Sequence, residues 1–189
     1  VVDVKKNKKP LIAIELGRAG LVLRGLAPIV EDNTYLGSVE FMQGLNSIVT
    51  HARANEGYEM VIVMKNDFLS TATALKDAPK ISNYTLAVNE SVVDKSFFNS
   101  LKDTDLSKTS TFELADNYFI VSEPIKDYSG NIVGYAVVGN KLSNVNSVIN
   151  KSASSLLRQV YIMAFVFLVI LVFLMMIIKA TVVNPIVNL

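Results

Sequence analysis

The stretch IVSEPIKDYSGNIVGYAVVGNKL (Ile120–Leu142) can be laid over an earlier one, RGLAPIVEDNTYLGSVEFMQGLNSI (Arg24–Ile48). Pro124 falls on Pro28 and Ile125 on Ile29, and Gly134 and Leu142 fall on Gly37 and Leu45 once one turn residue is inserted. Self-similarity of this kind means that one supersecondary unit occurs twice. Each copy reads as a β-hairpin followed by a helix. Extended segments (Leu21 to Ile29; Tyr118 to Ile125) lead into turns at Glu31–Thr34 and Asp127–Asn131, built from residues that tolerate tight backbone angles. The prolines cannot donate to a sheet ladder and belong where a strand ends or meets an edge. Helices are predicted over Asn46 to Asn55 and Ser143 to Leu157, the latter with no Pro or Gly before the segment that follows it.

Outward from the repeat, Tyr58 to Lys65 reads as a strand, Tyr84 to Val88 as a short strand and Val92 to Leu101 as a helix. Together with the second hairpin they make an α/β module of ordinary domain size. Only Lys9 to Leu16, a possible strand, precedes the first hairpin, so the chain is expected to be a piece of a longer protein, cut inside its first module. Beyond the second helix, VYIMAFVFLVILVFLMMII (Val160–Ile178) carries no charge and is flanked by Arg158 and Lys179. At ~1.5 Å per residue such a helix covers roughly 28 Å, the thickness of a hydrocarbon core. A core helix of a soluble protein would keep a polar stripe, and this segment has none. It is read as a transmembrane helix.

Composition excludes more than it identifies. Eighteen basic residues against seventeen acidic ones give no bias toward nucleic acid. Cysteine is absent, which removes disulfides and thiolate metal sites and suits an oxidising compartment. His51 is the single histidine, so no metal or nucleophile constellation can be completed, and no cofactor or enzymatic activity is expected. Gly17-Arg18-Ala19-Gly20 lacks the Gly-Lys-Ser/Thr ending of a phosphate loop and reads as a turn.

A duplicated strand-rich module running through a helix into a membrane span resembles the double-Cache sensor domain of bacterial chemoreceptors and sensor kinases. The run Leu23 to Ile29, followed by Tyr35 to Phe41 and Gly44-Leu45-Asn46, is similar to the end of the membrane-distal module in methyl-accepting chemotaxis proteins. After the span, Pro185-Ile186-Val187-Asn188-Leu189 resembles the opening of a HAMP linker, where Pro suits the first helical turn. The resemblance implies an α/β (α+β) fold of PAS-like Cache modules with antiparallel sheets plus one transmembrane helix. It divides the chain into the end of a truncated distal module (1–45), an inter-module helix (46–57), a membrane-proximal module (58–142), a juxtamembrane signalling helix (143–159), the span (160–178) and the start of HAMP (179–189). It further implies an extracytoplasmic sensor in the bacterial inner membrane, a homodimer, a small-molecule ligand and a downstream cytoplasmic signalling domain. A chemotaxis receptor is the first expectation. The same input half would serve a histidine kinase or diguanylate cyclase, and a membrane-anchored envelope-binding protein is a third possibility.

Candidate ligand-binding residues come from the repeat. Arg24 aligns with Ile120 and Glu40 with Val137, so the first copy has charges where the second is apolar. Counted back from the turn, Arg24 and Glu40 fall near the same rung, which a cross-strand ion pair explains. Alternatively Arg24, with Arg18 and Glu15, presents charge to a ligand such as a carboxylate or an amino acid, since a guanidinium binds carboxylates in two-point fashion. The tyrosines Tyr58, Tyr84, Tyr118 and Tyr135 read as core, not as cavity lining.

Overall fold

The computed structural model describes residues 2–108 and 111–179. Val1–Leu142 forms one compact unit and Ser143–Leu189 a second. The first unit opens with a short helix, α1 (Val2–Asn7), and a three-stranded antiparallel sheet in the order β1 (Leu11–Gly17), β2 (Gly20–Glu31), β3 (Thr34–Gly44). Helix α2 (Asn46–Glu56) ends at Gly57, whose φ of 67° is the left-handed cap that favours glycine. A six-stranded antiparallel sheet follows, in the spatial order β5 (Lys80–Ile81), β6 (Tyr84–Leu86), β4 (Glu59–Lys65), β9 (Ile132–Lys141), β8 (Tyr118–Lys126), β7 (Phe112–Ala115). Strand β4 is central and buried on both faces, which is why its sequence is a continuous apolar run without alternation: Val61, Ile62, Val63 and Met64 are all buried.

The two hairpins correspond in detail. β2 and β3 slip register between Ile29 and Val30, and β8 and β9 slip between Ile125 and Lys126, one residue past each matched proline. Such a bulge bends the strand and accounts for the proline beside it. The first turn is made by Asp32 (φ 44°) and Asn33 (φ 63°), the tight two-residue geometry that matches strand twist. The second is closed by Asp127, whose carboxylate oxygens accept from the Asn131 backbone N–H (2.8 Å) and side-chain amide (3.1 Å).

One core serves both sheets. Leu21, from β2, is buried together with Leu45 and Val49 around α2 and with Val61, Val63, Phe97, Tyr118 and Val137 of the larger sheet's layer. Helix α3 (Lys95–Ser100) is shorter than predicted, because Asp94 accepts from the Phe97 N–H and starts it there, with a separate 3-10 turn at Glu90–Val92 ahead of it. Phe97 lies against Gly139, where a Cβ would come within 2.2 Å of the ring. Strands β5 and β7 and helix α1 were not foreseen from sequence.

β9 runs into α4 (Leu142–Ile178) without an intervening residue, and the Leu142 N–H donates to the Asn117 carbonyl (2.7 Å). α4 is a single helix of 37 residues, about 55 Å at ~1.5 Å per residue. It is long and apolar enough to cross a membrane, and none of its apolar window is buried in protein. The predicted HAMP start beyond Lys179 lies outside the described residues.

Candidate functional site

Arg24 sits on β2, the middle strand of the smaller sheet, with Ala13 of β1 opposite it on one side and Met42 of β3 on the other. Glu15 pairs with Val22 and Glu40 with Leu26, so both carboxylates are on the Arg24 face but one diagonal step away, in opposite directions. Arg24 and Glu40 thus lie near the same rung, as expected, and form a cross-strand ion pair along the diagonal. A long side chain reaches such a neighbour easily. The Arg24 guanidinium makes a two-point contact with Glu40, Nη2 donating at 2.8 Å and Nε lying 2.8 Å from the other oxygen, while Nη1 donates to Glu15. Hydrogen bonds to Glu40 first and Glu15 second hold the guanidinium still more firmly protonated than usual. The Nε–H is buried and finds no well-aligned acceptor despite its closeness to Glu40. Arg18 is not brought into this group. It occupies the two-residue turn between Gly17 and Gly20, exposed, with its backbone carbonyl accepting from the Ala74 N–H (3.0 Å).

Beside the triad lies an open cleft of about 380 Å³. Glu15, Arg24 and Leu26 form one wall, Asp3 of α1 a second, and Asp127, Tyr128 and Ser129 of the β8–β9 turn a third. The Tyr128 hydroxyl donates to the Asp3 carboxylate at 2.7 Å. That bond, more than burial, raises the phenol above its ordinary range. Asp127 is lowered by its bonds to Asn131 and is engaged within its own turn. Neither Asp3 nor Tyr128 was singled out from sequence, since a contact spanning 125 positions leaves no local signal.

The profile of the dCache_3 family, described as the double sensory domain of two-component sensor kinases, matches residues 1–145. The chain belongs to the dCache_3 family. Among solved structures, the ligand-binding domain of Mlp24 with asparagine matches at 14% identity and a TM-score of 0.34, over 79% of this chain and 57% of that one. The chain thus spans little more than half of that protein, and at this level the likeness adds nothing to the family match. No curated protein gives a significant match.

Elsewhere in this dCache_3 chain the polar candidates have structural explanations. Tyr118 and Tyr135 are buried in the core, Tyr118 tilted against Phe97 at 5.0 Å and Tyr135 edge-on to Tyr84 at 5.6 Å. Burial raises the Tyr84 and Tyr118 phenols, as expected of hydroxyls held away from water. Tyr58, expected in the core, is instead exposed, because it precedes the buried part of the sheet, one residue ahead of β4. His51 is exposed on α2. No group of three metal-ligating side chains occurs among the described residues.

Proposed function

We propose that the chain is the sensing and transmembrane half of a receptor in the bacterial inner membrane, with residues 1–142 outside the cytoplasm. A small molecule binds beside the Arg24–Glu15–Glu40 triad, and α4 carries the change inward to a HAMP linker at 179–189. The observation that carries this reading is the unbroken α4, which leaves the sensor's strand β9 at Leu142 and runs without Pro or Gly to Ile178. A helix of that kind is axially stiff, and a ligand can shift it only by binding two states of the sensor unequally. Leu142, Val145, Ile149 and Leu156 recur at heptad spacing on the part of α4 ahead of the span, which supports a second copy of the chain as partner.

The ligand is better matched to an organic ammonium, free or within an amino acid, than to a simple carboxylate. Arg24 is already held by two carboxylates, so the triad as a unit is anionic, and Asp3 adds acceptor capacity. A chemotaxis receptor remains the proposed output. The family's description as part of two-component sensor kinases favours the histidine kinase as the second reading. Inserting Gly-Gly after Ser152 in the full-length receptor tests the relay. Ligand affinity should stay within about twofold while ligand-dependent output is lost; output that survives the insertion rejects the stiff-helix mechanism.

A further inference from the structure

The cleft is not closed by the smaller sheet alone. Its third wall is the turn of the β8–β9 hairpin, which belongs to the other sheet and lies more than a hundred positions along the chain from Asp3 and Glu15. A second cleft, of about 440 Å³, shares Asp3, Leu11 and Tyr128 with the first and adds Val4, Asn7 and Lys9. The Tyr128–Asp3 bond is thus a partition between two solvent-filled spaces, made by one exposed ring and one carboxylate. Tyr128 is 56% exposed, so the ring is not there to fill the core.

Three features make the turn a mechanical part. It is cross-braced, because Asp127 accepts twice from Asn131, the Asp127 N–H donates to the Asn131 carbonyl (2.9 Å), and the Gly130 N–H donates to the Asp127 carbonyl (3.0 Å). It caps a hairpin paired from Tyr118–Lys141 up to Lys126–Ile132, so a displacement of the tip is shared by both strands. The hairpin's last strand passes at Lys141 directly into the first residue of α4, whose N–H is tied to Asn117 in the turn before β8.

Resting on the ligand reading given above, we infer that Tyr128, reaching over from the neighbouring module, completes the ligand site together with Asp3, so that a bound ammonium compound touches the β8–β9 turn directly and is read by the hairpin that feeds α4. An ammonium in the cleft meets the Glu15 and Asp3 carboxylates and takes over the acceptor that Tyr128 now uses. The Tyr128 hydroxyl then turns from Asp3 to the ligand, so the turn senses occupancy without any change in the smaller sheet. Ammonium ions with three donors suit such a convergence of oxygen acceptors.

The test uses the full chain in lipid nanodiscs with putrescine and L-lysine as ammonium probes and succinate as the carboxylate control. Binding is read by thermal shift, and the relay by hydrogen exchange of residues 132–142. Putrescine or lysine is expected to raise the melting temperature and to slow exchange in that segment. Tyr128→Ala, on an exposed turn, should fold normally, weaken apparent affinity by at least about tenfold and abolish the exchange change, with Tyr128→Phe intermediate. If ammonium probes bind Tyr128→Ala as tightly as wild type, or bind wild type without altering exchange at 132–142, the turn is not part of the site and the inference fails while the ligand reading stands. Binding of succinate alone, or of no probe, overturns the ligand reading and the inference with it.

Discussion

Replacing Arg24 by Met removes the charge at the centre of the triad while keeping an unbranched stem of similar length. Arg24 is 24% exposed, Glu40 34% and Glu15 42%, so neither ion pair has the full strength of a buried one and neither is fully screened. Exposed pairs contribute about 0.2–1 kcal/mol, and charge-assisted hydrogen bonds with good geometry about 1.5–3 kcal/mol. The two-point Glu40 contact belongs between these ranges and the Glu15 contact near the lower one, which gives about 2 kcal/mol in all once exposure is allowed for. In a unit of this length that corresponds to a melting-temperature loss of about 4–8 °C. Part of the loss arises because two carboxylates remain on one sheet face with no cation between them. The variant Arg24→Met/Glu15→Gln/Glu40→Gln removes that repulsion and should recover most of the loss, to within about 1 kcal/mol of wild type. Raising salt to 1 M contracts the screening length to about 3 Å and should roughly halve the defect of the single variant. Circular-dichroism melts of the three proteins in detergent decide the matter. If the triple variant is as unstable as Arg24→Met at every salt concentration, Arg24 does not act through Glu15 and Glu40, and its role as the centre of an anionic unit is refuted.

Gly139→Ala places a methyl 2.2 Å from the ring of Phe97, which is fully buried and has nowhere to go; a loss of at least about 2 kcal/mol is expected by denaturant titration, partly recovered by Phe97→Leu. The Tyr128 phenol is raised by its bond to Asp3, so its contribution to stability is fully present below the ordinary tyrosine range and is lost as pH rises through the higher folded value. Phenolate absorbance should therefore show one late-titrating exposed tyrosine that reverts to the ordinary value in Asp3→Asn.

The hairpins were legible because their signals are local: the matched Pro-Ile pairs mark the bulges, and Asp, Asn and Gly mark the turns. The span was legible because lipid demands a long uncharged run, and Val160–Ile178 lies within one continuous helix. Strand β7 escaped notice because Phe112 and Leu114 are exposed on a four-residue edge strand, 80% and 64%, so their apolar character does not report burial. The helix predicted over Val92 to Leu101 began too early because its apolar residues were counted before its cap. Asp94, three residues ahead of Phe97, was the available signal. Arg24 and Glu40 were found by comparing the repeats, but Glu15 was attached to Arg24 only as a possible co-ligand, and Arg18, which lies close in sequence, proved to be at the turn.

The comparison of the two hairpins also shows why the charges are in the first and not the second. Both have the same bulge, yet the Arg24 and Glu40 positions correspond to Ile120 and Val137, which are 3% and 0% exposed in the shared core. A guanidinium at Ile120 would be taken out of water, and the carboxylate opposite it, Glu113 of β7, is already paired with Lys108 at 2.9 Å, so the cost is several kcal/mol. The first hairpin has one face on the core, through Leu21 and Leu23, and the other open to a cleft, so it can hold polar groups without that penalty. The second packs its Ile120 and Val137 face into the core, and its tip carries Tyr128 to the cleft of the first. The converse substitutions measure the asymmetry. Ile120→Arg should unfold the sensor, whereas Arg24→Ile, made with Glu15→Gln and Glu40→Gln, should be tolerated; a folded Ile120→Arg protein would show that the second hairpin's inner face is not the sealed core described above.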